Sequence, residues 1–119
     1  MSDAIETLML ANLLDVFNER DTAKRQAAIQ RTYAPDVAWT DAEETTNGQQ
    51  ALETKCVGLQ SNLGKLQFVM DGPVRQVPGF GYLAWRLIDP DSGQRAMSGF
   101  DAAIITDGLI THLWTVLIP

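Results

Sequence analysis

The sequence predicts an α+β domain, and three observations carry that expectation. Up to Gly64 the apolar residues recur mainly at helical spacing, whereas from Leu66 onward they fall into short runs separated by Gly, Pro and Asp. Asp107-Gly108, between two of those runs, is a two-residue hairpin signal. Helices first and a strand meander afterwards indicate α+β rather than alternating α/β architecture. With 119 residues, 45% of them hydrophobic and 20% charged, the chain fits one packed domain over 1–119.

The elements follow in order. From Asp3 to Asn18, Ile5, Leu8, Met9, Leu13, Val16 and Phe17 form an apolar stripe that Leu10 and Leu14 widen, which predicts a first helix buried on more than one side. Asp21 is placed to cap a second helix from Thr22 to about Tyr33, where Pro35 stops it and Asp36 starts an extended segment. Asn47 and Gln50 have capping-box spacing, and Leu52, Cys56, Leu59 and Leu63 mark one face of a third helix ending near Gly64. Leu66–Met70, Val74–Val77, Gly81–Ile88, Arg95–Ile105 and Leu109–Ile118 are expected as strands, punctuated by Asp71-Gly72-Pro73 and Pro78-Gly79.

Charge and cysteine usage narrow the partners. Fifteen acidic against nine basic residues give a net charge of −6, a field that repels phosphate backbones, so no nucleic acid is expected. The N-terminal apolar stretch from Leu8 to Phe17 is broken by Asn12 and Asp15 and lacks a preceding basic region, so neither a signal peptide nor a membrane span is expected. Cys56 is the single cysteine, which excludes an internal disulfide and fits a cytoplasmic setting. One histidine and one cysteine do not supply the three or four ligands of a usual zinc site. Gly79-Phe80-Gly81 precedes a strand where a dinucleotide fingerprint would follow one, and Ser98 lacks a nucleophile elbow, so neither a dinucleotide loop nor serine hydrolase chemistry is expected. Lys24, Arg25 and Arg31 read as a solvated helix face.

Two acids stand out. Asp101 interrupts the otherwise apolar run from Met97 to Ile105, and a carboxylate there must find a partner, face a cavity or hold its proton. Asp41 ends the strand-like Val37-Ala38-Trp39-Thr40-Asp41. The Asp107-Gly108 turn pairs Thr106 with Leu109. Counting back places Ile105 opposite Ile110, Ala103 opposite His112 and Asp101 opposite Trp114, which puts the acid, the histidine and a tryptophan on one face. The register of the hairpin around Asp89-Pro90-Asp91-Ser92-Gly93 is open by one residue. One choice sets Leu83, Trp85 and Leu87 on the Asp101 face and is favoured because it matches apolar to apolar; the other sets Tyr82, Ala84 and Arg86 there. Phe100, Ala102, Ile104 and Leu113 then form an opposite, apolar face suited to a homodimer through the sheet.

Tyr33-Ala34-Pro35-Asp36-Val37 followed by Thr40-Asp41, then Asn47-Gly48, Gly99-Phe100-Asp101 and Thr106-Asp107-Gly108-Leu109-Ile110, resemble the small SnoaL-like members of the nuclear transport factor 2-like superfamily over nearly the whole chain. The resemblance implies a cystatin-like cone, a curved antiparallel sheet wrapped around three helices with a pocket at its open end. It implies a small hydrophobic molecule as partner, and no metal or cofactor. Ketosteroid isomerase resembles the chain at Asp41, where that family carries its proton-shuttling carboxylate, and at Asp101, where it carries a protonated acid that donates to the substrate oxygen. Trp39, Trp85, Trp114 and His112 are the expected pocket lining. The stretch matching that family's oxyanion tyrosine reads Ala11-Asn12-Leu13-Leu14. The acid that limonene epoxide hydrolase carries after a last-strand tryptophan is absent from Trp114-Thr115-Val116.

Each signal has a plainer counterpart. Asp101 is explained equally by a structural acid held by Trp114, His112 or Arg86, and Asp41 by a cap on the turn Ala42-Glu43-Glu44-Thr45. His112 and the tryptophans are also ordinary core residues, and Cys56 a small buried hydrophobe. Two functions are therefore expected. The first is a cofactor-free isomerase or cyclase acting on a small carbonyl-bearing hydrophobic molecule, with Asp41 as base and Asp101 as neutral donor. The second is a non-catalytic ligand-binding or dimerisation module.

Overall fold

The computed structural model describes residues 3–119. The first helix, α1 (Asp3–Leu10), runs without a break into a π-helical stretch (Ala11–Phe17), closed by the Asn18 N–H donating to the Leu13 carbonyl at 3.1 Å. This wider turn sits where the stripe of Ile5, Leu8, Met9, Leu13, Val16 and Phe17 is buried, and such turns recur near functional sites. After α2 (Thr22–Thr32) the chain enters β1 (Tyr33–Thr40), then β2 (Thr45–Asn47), α3 (Gln49–Leu63), β3 (Gln67–Met70), β4 (Arg75–Val77), β5 (Phe80–Ile88), β6 (Arg95–Thr106) and β7 (Leu109–Ile118). No helix among the described residues is long and apolar enough to cross a membrane.

Capping residues act as expected at α2 and not at α3. Asp21 accepts from the Lys24 N–H at 2.9 Å. At α3 the capping residue is Gly48 at φ 89, not Asn47, which belongs to β2, and Gln49 instead donates to the Tyr33 carbonyl. The predicted capping box does not form, because the left-handed entry at Gly48 turns the chain straight out of a strand. Arg25 is a second correction: rather than joining a solvated face it is 2% exposed, forked onto Glu53 at 2.6 and 2.8 Å and bonded to the Gln60 side chain and the Glu19 carbonyl. The polar demands of that ion pair are met by α2, α3 and the Glu19 carbonyl just ahead of α2, as burial of charge requires.

One seven-stranded sheet wraps the helices, with order β2-β1-β7-β6-β5-β3 and β4 alongside β5. It is mixed, not purely antiparallel as expected, since β1 runs parallel to β7. Their pairing jumps from Tyr33↔Ile110 to Ala38↔His112, and Pro35, which has no N–H to offer a ladder, lies in the skipped segment. Between β5 and β6 the favoured register holds: Leu83 faces Asp101, Trp85 faces Gly99 and Leu87 faces Met97.

The β6–β7 hairpin begins as predicted and then departs. Asp107 (φ 54) and Gly108 (φ 81) form the turn, with Thr106 opposite Leu109 and Ile105 opposite Ile110. Thr111 is then an extra residue, so Ile104 faces His112, Ala103 faces Leu113, and Asp101 faces Thr115 instead of Trp114. The bulge lets both Ile110 and Leu113, three residues apart, be fully buried. It also turns His112 and Trp114 outward and draws Leu113 inward, reversing the predicted side for all three.

Candidate active site

A cavity of about 570 Å³ opens between the inner face of the sheet and the helices. Its walls are mostly apolar. Phe17 and Trp39 lie 5.0 Å apart between ring centroids, Phe17 and Phe68 6.2 Å, and Phe68 and Trp85 5.0 Å edge to face, giving a continuous aromatic wall. Leu13, Leu59, Leu63 and Leu87 complete much of the remainder. The volume suits one small molecule.

Asp101 lines this cavity while being only 2% exposed. Its Oδ2 accepts from the Asn12 amide at 2.8 Å, and its Oδ1 accepts from the Trp85 indole at 3.2 Å and the Thr115 hydroxyl at 2.9 Å. The donors are themselves held in place. The Tyr33 hydroxyl donates to the Asn12 Oδ1 at 2.5 Å, which leaves the amide nitrogen for Asp101. The Trp39 indole, a donor only, gives its proton to the Thr115 oxygen at 3.0 Å, so the Thr115 proton goes to Asp101. Burial pushes the Asp101 carboxyl up, and the bonds from Thr115, Trp85 and Asn12 pull it back, leaving it at about 6. Burial, followed by the Asp101 charge, raises the Tyr33 phenol well above its ordinary value and keeps it a donor.

This arrangement suits an accepting carboxylate and also the neutral donor expected of Asp101, since a protonated carboxyl can accept these three bonds and still donate its own proton. Three converging donors fit an accepting carboxylate, and a carboxylate has about four acceptor positions, so one remains for a ligand. Replacing Thr115 by Val should raise the Asp101 pKa by about one pH unit, with Ser restoring it. Carboxyl carbon chemical shifts followed through a pH titration would read this, and an unchanged midpoint in the Val variant would remove Thr115 from the network.

Asp41 also lines the cavity, at its mouth. Its Oδ2 lies 2.6 Å from the Lys55 ammonium, and its Oδ1 accepts from the Glu43 and Glu44 N–H groups at 2.9 and 3.1 Å. It is thus the turn cap that the plainer reading described, with an ion pair added. Burial pushes its carboxyl up, but Lys55 and the two backbone N–H groups outweigh that and bring it below the usual aspartate value.

Of the predicted site residues, Asp41, Asp101, Trp39 and Trp85 meet at one cavity. His112 and Trp114 do not: they stack on each other at 5.8 Å on the outer face, displaced by the Thr111 bulge. Sequence reasoning missed Asn12, Lys55 and Thr115. Asn12 carried a signal, a polar residue inside an otherwise apolar stripe. Lys55 carried a fainter one, since Lys55, Leu59 and Asn62 form a second stripe at helical spacing beside the Leu52–Cys56 face. Thr115 carried none, because the bulge decides its side. Cys56 is the buried hydrophobe expected, its thiol pushed by burial up to about 12.

No protein-family profile and no curated protein matches this sequence. Solved structures do. A proposed isomerase of the SnoaL-like family from Agrobacterium tumefaciens superposes with a TM-score of 0.90 at 23% identity, covering 99% of this chain and 100% of that one. A proposed SnoaL-like polyketide cyclase from Jannaschia sp. CCS1 gives 0.72 at 17% identity over 95% of this chain and 87% of that one. A proposed ketosteroid isomerase from Kribbella flavida gives 0.72 at 17% identity over 99% of this chain and 80% of that one. Others are described as cystatin-like. The shared property is the fold: three helices and a large curved mixed sheet, the cone of the SnoaL-like and nuclear transport factor 2-like proteins.

Proposed function

We propose that this chain, built on the SnoaL-like fold, is a cofactor-free acid/base enzyme of the isomerase or cyclase kind acting on a small apolar carbonyl compound. The observation that carries the reading is Asp101, a carboxyl group buried at an aromatic-walled cavity with three donors around it, which burial pushes up to about 6. A base in that range is largely ionised at neutral pH yet returns a proton readily, which is the compromise general acid–base catalysis favours. In the proposed step the carboxylate takes a proton from the carbon next to the carbonyl, and the C–H electron pair moves into an enolate. Asp101, now neutral, donates to that enolate or returns the proton at another carbon; an enolate that meets a second carbonyl in the same molecule bonds to its carbon, the C=O π pair moves onto that oxygen, and the oxygen takes the proton from Asp101 as the ring closes. Negative charge passes from Asp101 to the ligand and back, so the net charge of the cavity is unchanged throughout. Asp41, held by Lys55, is given no proton to move.

The test is deuterium uptake by an apolar ketone such as 2-tetralone in D2O, followed by proton NMR. Enzyme-dependent exchange at the carbons flanking the carbonyl is expected. It should rise about tenfold per pH unit below pH 6 and level off above pH 7 as Asp101 ionises. A ketone that binds in the cavity without any exchange would overturn catalysis and favour the ligand-binding module.

The outer sheet face favours a partner of the same kind. Tyr82 and Phe100 pack at 5.1 Å between ring centroids, and Trp114 and Val116 remain 37% and 41% exposed beside Ile104 and Ile118. We propose that this face pairs with a second copy, since these exposed apolar side chains lie side by side on neighbouring strands and would be covered by the same face of a partner. Sedimentation should show a dimer that Val116→Lys dissociates; a monomer at 100 μM, on the order of the weakest stable interfaces, would exclude it.

A further inference from the structure

We propose that the cavity mouth selects ligands by charge, admitting neutral and cationic apolar molecules and turning away anionic ones, with Asp41 setting the selection by occupying Lys55. The proposal rests on the reading of this cavity as the ligand site, but not on catalysis within it.

Among the described residues lining the cavity, Lys55 is the one lysine or arginine, and so the natural receiver for a carboxylate or sulfate on a ligand. Its ammonium is already committed. It lies 2.6 Å from Asp41 Oδ2, 3.3 Å from Glu44 Oε2 and 4.9 Å from the centre of the Trp39 ring, and the nitrogen itself is buried although the side chain as a whole is 20% exposed. Asp41 is not free to swing aside, because its other oxygen holds the N–H groups of Glu43 and Glu44 that close the turn. Two further carboxylates remain on the wall: Glu43 at the turn and Asp101 within. An anionic ligand would therefore meet no unpaired cation and would bring its charge towards the Asp101 carboxylate. A neutral ligand meets neither cost, and a cationic one finds acids at the mouth and ring faces along the wall.

Two fluorescent probes that share one skeleton test this, N-phenyl-1-naphthylamine and its sulfonated relative 8-anilinonaphthalene-1-sulfonate. Only the binding lost on filling the cavity by Leu59→Trp is counted, which sets aside probe bound to the outer sheet face. The wild type should take the neutral probe at least about tenfold more tightly than the sulfonate at low salt. The neutral probe is also the more apolar, so the decisive comparison is the double variant Asp41→Asn, Glu44→Gln. The amide introduced by Asp41→Asn keeps the turn-capping oxygen while the Lys55 charge is released. Sulfonate binding should then tighten about tenfold, with neutral-probe binding changed less than about threefold. Unchanged sulfonate affinity, with the neutral probe still bound, would overturn the charge selection. Failure of both probes to enter the wild-type cavity would overturn the cavity as a ligand site, and the inference with it. Probe selectivity as expected, with no deuterium uptake by a bound ketone, would leave the selection standing and remove only the catalysis.

Discussion

Asp101→Asn should reduce enzyme-dependent exchange of ketone α-protons by about 10³-fold while making the protein more stable at pH 8, because one group carries both the chemistry and a cost to the fold. The stability sign follows from the raised pKa. Asp101 titrates at about 6 in the fold against an ordinary value of 3.8, so its contribution is most favourable while it is protonated, below about pH 4. That contribution is lost as pH rises through 6, and above pH 7 the ionised group costs the folded state about 3 kcal/mol relative to its protonated form. Asparagine, neutral at every pH, removes the cost. Part of that gain is offset, since the Asn12 amide must turn its oxygen towards the new side-chain amide, and the buried Tyr33 hydroxyl then accepts and loses the acceptor it now has. Thermal unfolding should show the variant gaining several degrees on the wild type between pH 4 and pH 8 and standing above it at pH 8. Exchange undiminished in a folded Asp101→Asn protein would end the role of Asp101 as base, and a lower stability at pH 8 would contradict the burial cost.

Gly99→Ala should destabilise the fold by about 3 kcal/mol and disturb the site from behind. Gly99 is buried opposite Trp85 on one side and Leu117 on the other. A methyl group there would stand 2.6 Å from the Trp85 ring and closer still to the Val116 carbonyl. One neighbour is backbone in a central strand and the other a packed indole, so neither gives way cheaply. Because the Trp85 indole donates to Asp101, displacing the ring also removes a donor from the carboxylate, and the Asp101 pKa should rise. Denaturant unfolding measures the first effect and carboxyl titration the second. A Gly99→Ala protein as stable as the wild type would show that the indole is loosely held and not a fixed part of the site.

Much of the architecture was legible because it depends on local rules. The stripe from Ile5 to Phe17, the Asp21 cap, the end of α3 at Gly64 and the Asp107-Gly108 turn each follow from a few adjacent residues and their torsional or burial preferences. The β5–β6 register was open by one residue in the sequence, and the sheet adopts the favoured choice, which sets Leu83, Trp85 and Leu87 on the buried face. Asp41 and Asp101 both line one cavity, yet the difference between the two acids was not legible. It depends on Lys55 beside one and three donors around the other, and those partners lie far apart in the chain.

By itself the sequence determined an α+β chain with an amphipathic helical half, a strand meander, and a carboxylate in a strand that had to be paired or functional. Those are consequences of periodicity, turn chemistry and the cost of burying charge, all of which act over a few residues. Tertiary structure alone decided which residues surround that carboxylate. A single extra residue at Thr111 exchanged His112 and Trp114 for Leu113 and Thr115 on the inner face, because side chains alternate along a strand and a shift of one reverses them all. The parallel pairing of β1 with β7 brought Trp39 to Thr115, and the π-helical turn holds Asn12 against Asp101. Residues far apart in sequence meet only once the whole sheet has curved around the helices, so the chemistry of the cavity belongs to the packed chain and not to any one of its segments.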